Sequence, residues 1–180
     1  MTWLPSYLVM ERRFSLTGMA IFGALPFLVC AVSSTAAGWA SDAWIARGAT
    51  PNRVRKTFAA SGLLISAAAL PATAVAPDAI AMGLLMLAFV AIGLFTSNVW
   101  AITQNLAGPD AAGRWTGLQN AIGNAGSVAA PIVTGWIVAA SGGYFLIAFV
   151  TASGLLMIAA ALYLAGIGRI EPLDWRQNQC

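Results

Sequence analysis

What chemistry this chain offers rests on hydrogen-bonding side chains rather than charged or nucleophilic ones, and they concentrate in one stretch. On a helix turning about 100 degrees per residue, Thr116, Asn120, Asn124, Ser127, Pro131 and Thr134 fall within roughly 40 degrees of one line. Such a stripe of amides and hydroxyls faces either a polar cavity or a partner helix, and Asn120, Asn124 and Ser127 are the candidates for contact with a polar solute. Beside it, Gly113, Gly117, Ala121, Ala125 and Ala129 repeat every four residues, a ridge of small side chains that lets another helix approach closely. Upstream, Asn98 and Asn105 are seven residues apart and share a face. Asn98 joins the cavity candidates, whereas Asn105 and Gln104 equally suit the headgroup region of a membrane. A third pattern is the loop from Gly38 to Gly48, in which Gly38, Asp42 and Arg47 combine a close-approach residue, an acid and a base. It suits a brace in which Asp42 accepts hydrogen bonds from a neighbouring helix N-terminus, and equally a solvated loop.

These residue types exclude more than they allow. The chain has no His, and no pair of carboxylates falls within one helix, so neither a metal centre nor a cofactor is expected. No nucleophile is paired with a base and no Gly-rich phosphate cradle is present, so no catalytic residue is expected and an enzyme is the weakest class. The net charge of +3 is modest and its basic residues flank apolar runs, which gives no reason to expect a nucleic-acid partner.

The elements that position these groups follow from where charge is missing. Between Lys56 and Arg169 the charged residues are Asp78, Asp110 and Arg114, each beside Pro or Gly at an expected turn. The uncharged runs between them are long enough to cross a bilayer, which takes roughly 20 apolar residues in a helix. With 59% hydrophobic residues, 8% charged and a mean hydropathy of +0.80, the chain has too little polar surface to cover a soluble core. The reading is therefore an all-α integral membrane protein whose first partner is the lipid bilayer.

Five spans are expected, at about 16–41, 57–76, 79–107, 115–140 and 145–168, with a tail over 169–180. Ser15 is the expected N-cap of the first. Pro26, Pro71 and Pro131 lie within spans and should bend them without breaking them. Arg47, Arg53, Arg55 and Lys56 follow the first span, Arg114 the third, and Arg169 and Arg176 the last, against Arg12 and Arg13 on the other side. The positive-inside rule puts the start of the chain outside and Cys180 in the cytoplasm. On that topology Cys30, within an apolar run, and Cys180 are too far apart to pair. Residues 1–10 read as the outer end of a further helix, with Trp3 and Tyr7 as interface aromatics. Either a helix entering from the cytoplasm has been cut short, or this is an interfacial segment of a five-span protein.

Four segments together carry a family resemblance. They are Thr2-Trp3-Leu4-Pro5-Ser6-Tyr7-Leu8 followed by Phe14-Ser15-Leu16; Leu25-Pro26-Phe27; Gly38 to Gly48; and Gly117 to Asn124 continued by Ala130 to Gly135. The chain resembles the C-terminal half of a major facilitator superfamily transporter and looks like its anion:cation symporter group. The resemblance implies the C-terminal six-helix half of a twelve-helix fold, with its first helix truncated, in an inner membrane. It implies a rocker-switch carrier moving a small organic anion with protons or sodium, its midplane site shared with an N-terminal half absent from this chain. Asn98, Asn120, Asn124 and Ser127 would line the cavity, while Gly38, Asp42 and Arg47 match the family's gating and bracing motif. The motif usually has a basic residue directly after its acid; Ala43 stands there instead. The rival readings are a non-transporting scaffold or partner subunit from a truncated gene, and a self-sufficient homo-oligomer.

Overall fold

Long apolar runs punctuated by capping residues fold here into helices alone. The structure, a computed structural model, describes residues 3–173; the expectations placed on Thr2, Arg176 and Cys180 lie outside the described residues. The first element, α1 (Leu4–Ser6), continues as a π-helical turn over Tyr7–Glu11. Ser15 then caps α2 (Leu16–Ala46) by accepting from Gly18 N at 3.1 Å, as its position predicts. Helix α2 runs five residues past the expected end at Ser41, because nothing breaks it before Gly48, whose φ of 97° takes the left-handed exit.

Helix α3 (Pro51–Val75) also begins earlier than expected. Thr50 accepts from Arg53 N at 3.3 Å and Pro51 occupies the first turn, a start signal that overrides the charges following it. Arg53, Arg55 and Lys56 therefore lie on helix rather than in a loop. Pro26, Pro71 and Pro131 all sit inside continuous helix.

The largest departure is α4 (Asp78–Ala140), 63 residues in length. A straight helix of that length would reach about three times the hydrocarbon thickness. It is divided at Gly108, whose φ of 64° and ψ of 179° are open only to glycine. The expected loop of Asp110 and Arg114 is thus a single-residue joint, and both charges lie on the second arm. Helix α5 (Leu146–Ala161) ends in a π-helical stretch, Leu162–Gly166. Among the described residues, four helices are long and apolar enough to cross a membrane, and each arm of α4 alone exceeds the ~20 residues needed.

The core lies between α1, α3, the first arm of α4 and α5, where Leu4, Tyr7, Leu70, Leu85 and Phe149 are almost completely buried. Tyr7 meets Phe145 edge-on at a centroid distance of 5.5 Å and lies tilted against Phe149 at 5.1 Å, as Trp3 does at 4.9 Å. Tyr7 is 1% exposed, so it is a core aromatic rather than an interfacial one. Close packing is set by two glycines. A Cβ on Gly93 would meet Cys30 O at 2.8 Å and Ser33 Cβ at 2.9 Å; one on Gly62 would meet Phe95 N at 2.9 Å. These fix how tightly α4 lies on α2 and α3.

Candidate functional site

The second arm of α4 carries the polar stripe, and the described residues leave the middle of that arm uncovered. Residues 121–130 are all exposed, while the arm's ends touch the rest of the molecule. At one end Thr103 Oγ1 donates to Gln119 Oε1 across the joint; at the other Val138 enters the core beside Phe145. The two arms thus run back along each other. Two clefts separate the second arm from its neighbours near the joint, of about 580 Å³ at Asn105, Gly113 and Thr116, and about 510 Å³ at Thr103, Gln119 and Tyr163. A third, of about 260 Å³, lies at the far end beside Pro131 and Thr134.

Within the stripe, Asn120, Asn124 and Ser127 are exposed and turned to one another along the helix. Asn124 Nδ2 donates to Asn120 O at 2.9 Å and to Asn120 Oδ1 at 3.2 Å, and Ser127 Oγ donates to Gly123 O at 3.0 Å. Those bonds stay within one helix, which leaves the remaining amide capacity directed outward. The ridge beside them is equally open: a Cβ on Gly113 or Gly117 would meet nothing within 4 Å, and Ala121, Ala125 and Ala129 are exposed. The tight approach expected at this ridge is made within the chain at Gly62 and Gly93 instead, positions whose role requires knowing which helices cross.

Asn98 lies apart from the stripe. It is 0% exposed, and Arg55 Nη1 donates to its Oδ1 at 3.2 Å and to Ser41 Oγ at 2.7 Å. Arg55 Nη2 donates to Asp42 Oδ1 at 2.6 Å. One guanidinium therefore joins α2, α3 and the first arm of α4, with 12% of its side chain exposed against 68% for Asp42. Gly38 belongs to the same contact, since a Cβ there would sit 3.7 Å from Ser97 Cβ. The motif expected as a loop of Gly38, Asp42 and Arg47 is thus a helical brace: Arg47 is an exposed C-cap of α2, and Arg55 is the base that pairs with Asp42. Spacing alone does not choose between the two arginines; the helical start at Pro51 does.

A second polar cluster occupies the opposite end of the bundle. Arg12 Nε donates to Tyr7 Oη at 2.7 Å, and Arg12 Nη1 donates to Ala76 O and Asp78 Oδ1, each at 2.9 Å; Arg12 Nη2 reaches Thr73 O and Ala74 O. It thereby satisfies carbonyls at the end of α3 that the helix leaves without partners. Burial works against the Arg12 charge, but the bonds to Tyr7 and Asp78 outweigh it and hold the guanidinium above its ordinary pKa. Glu11 Oε2 accepts from Phe145 N at 2.8 Å and caps α5 in the same region. Among the described residues no group of His, Cys, Asp or Glu is placed to hold a metal ion.

Comparison with known proteins gives these features a context. A profile of the Major Facilitator Superfamily matches residues 1–131. The chain is 30% identical over 171 residues to a D-galactonate transporter of Escherichia coli, covering 95% of the chain and 39% of that relative. It is 32% identical over 144 residues to a probable galactarate/D-glucarate transporter of Pseudomonas putida, covering 79% and 31%, and 30% identical over 176 residues to a hexuronate transporter of Bacillus subtilis, covering 96% and 41%. The chain therefore spans about two fifths or less of the length of these relatives.

Proposed function

Because the chain belongs to the Major Facilitator Superfamily and is a multi-pass membrane protein, we propose that it forms the C-terminal six-helix half of an alternating-access carrier for a small organic anion. The observation that carries this reading is the uncovered polar arm. An amide stripe has no partner in hydrocarbon, so Asn120, Asn124 and Ser127 belong against a water-filled pathway or another protein surface. A carrier built from two halves supplies both: the N-terminal half covers the small-residue ridge and the stripe lines the space between the halves. The substrate class is a sugar acid, in keeping with the relatives named as galactonate, galactarate/D-glucarate and hexuronate transporters. Amides and hydroxyls suit the hydroxyl-rich body of such a molecule. The arm has no charge along its stripe to meet the carboxylate, so that charge is met from the N-terminal half, with protons or sodium as the coupling ion.

Orientation follows from the two polar ends. Arg47, Arg53, Arg55, Lys56 and Arg169 lie at the end of the Asp42 brace, and Arg12 and Arg13 at the other, which supports a cytoplasmic brace in an inner membrane with the start of the chain outside. Asn98, enclosed beneath Arg55, contributes by holding the cytoplasmic brace with Gly38 and Asp42. The test is Asn124→Leu in the complete carrier. Uptake is lost while membrane expression is retained; uptake at the wild-type rate would remove the stripe from the pathway.

A further inference from the structure

The segment 167–173, beyond the last turn of α5, turns back under the bundle and is held at each step. Lys56 Nζ donates to Ile167 O at 2.5 Å and Leu164 O at 3.4 Å, fixing the departure from α5 to the first turns of α3. Ile170 N donates to Asn52 Oδ1 at 3.3 Å, and the Ile170 side chain, 5% exposed, packs with Ala59 of α3 and Ile102 of α4. Leu173 N then donates to Leu106 O at 2.9 Å, two residues before the joint. The bond supplies a donor to a carbonyl close to where the kink, followed by Pro109 with no N–H to give, interrupts the helix ladder. Pro172 stands 3.6 Å from the position a Cβ would take on Gly108. It shares the 580 Å³ cleft with Gln104 and Asn105 of the first arm and with Gly113 and Thr116 of the second. Ile167, at the start of the segment, lines the 510 Å³ cleft on the other side of the arms.

From this placement we propose that residues 167–173 are a strap that latches the joint of α4, with Pro172 as a wedge between its arms and the Leu173–Leu106 bond as the catch. Near the joint the second arm continues from Gly108 and carries the Thr103–Gln119 bond, and its middle, residues 121–130, is exposed among the described residues. Release of the strap frees the arm to swing about Gly108, so the cytoplasmic end of the polar stripe opens or closes with the state of the latch. This holds whatever solute the carrier moves.

The experiment is pulsed dipolar electron paramagnetic resonance on the full chain in lipid nanodiscs, with Cys30 and Cys180 replaced by Ser. Spin labels at Leu64→Cys and Val128→Cys, both exposed, report the second arm against α3; labels at Ile80→Cys and Ile158→Cys report the first arm against α5. With the native strap each pair gives one narrow distance. Leu173→Pro, which removes the donating N–H, raises the ratio of a second 64–128 distance to the first about fivefold over the native chain, the factor of one lost hydrogen bond, and Ile170→Ser, which removes the buried apolar anchor, raises it further. The 80–158 distance is unchanged, and Ile170→Val restores the narrow distribution. An unchanged 64–128 distance in both strap variants overturns the proposal, as does equal broadening of both pairs, which would make the strap a general folding element.

Discussion

Replacing Arg55 by Met tests which of its bonds carries the stability of the Asp42 brace. The substitution removes three hydrogen bonds, to Asp42, Ser41 and Asn98. The bond to Asp42 joins a carboxylate that is 68% exposed, so it contributes about 0–1 kcal/mol. Ser41 keeps its own bond to Gly38 O at 2.9 Å. Asn98 is different: fully enclosed, its Oδ1 loses the guanidinium, and a buried acceptor left unpaired costs about 1–3 kcal/mol. Arg55 Nε has no hydrogen-bond partner among the described residues, so its removal returns part of that loss. The net expectation is a destabilisation of about 2 kcal/mol for Arg55→Met, less than 1 kcal/mol for Asp42→Asn, and no measurable change for the exposed Arg47→Ala. Removing both sides of the buried bond, Arg55→Met with Asn98→Leu, recovers about 1 kcal/mol or more, because neither polar group is then stranded. Thermal unfolding of the purified chain in one detergent, followed by tryptophan fluorescence, ranks the four variants. Equal losses for Asp42→Asn and Arg55→Met, or a double variant no more stable than Arg55→Met, would refute the assignment of the brace to the Arg55–Asn98 bond.

Gly93→Ala drives a methyl group into Cys30 O and Ser33 and lowers stability by about 1–3 kcal/mol, whereas Gly126→Ala, in open space, is neutral in the same unfolding assay. Gly108→Ala forces an L-residue into a backbone region reserved for glycine; it costs about 1–3 kcal/mol and is seen as altered protease susceptibility near Arg114. Arg12→Met takes the guanidinium donor from Ala74 O and Ala76 O at the end of α3, while Tyr7 Oη and Thr73 O keep their bond to each other at 3.2 Å; it costs about 1–3 kcal/mol, whereas Arg13→Met at the neighbouring position stays within about 0.5 kcal/mol, and paired unfolding curves distinguish them.

The membrane character, the family and the Ser15 cap were legible because each rests on local composition or a short motif. The helix ends at Ala46 and Pro51 were not. Charge in the sequence reads as loop, yet Arg55 and Lys56 direct their charged heads to Asp42, Ser41, Asn98 and the Ile167 carbonyl from within the first turns of α3 and leave the helix intact. That misplacement concealed the brace, since Arg55 reaches Asp42 only when α3 starts at Pro51. The joint at Gly108 escaped for a related reason: Gly-Pro reads as a loop, whereas the chain needs only one residue of glycine geometry to fold one arm back on the other. Arg12 was legible as a topological signal, but its use as a cap for α3 depends on a contact more than sixty residues away in sequence. The polar stripe, by contrast, followed from periodicity alone, and the structure adds that its middle, within residues 121–130, is exposed among the described residues.

Transport specificity tests the central claim most directly. The chain is joined to the N-terminal half of a sugar-acid relative and produced in cells whose own sugar-acid carriers have been deleted, and uptake of labelled galactonate, glucarate and glucuronate is compared with that of an uncharged hexose. A sugar-acid carrier takes up at least one of the acids, in competition with the others and not with the hexose, and loses that uptake with Asn124→Leu. Correct membrane insertion of the joined protein with no acid uptake, or uptake of hexose at an equal rate, would contradict that claim.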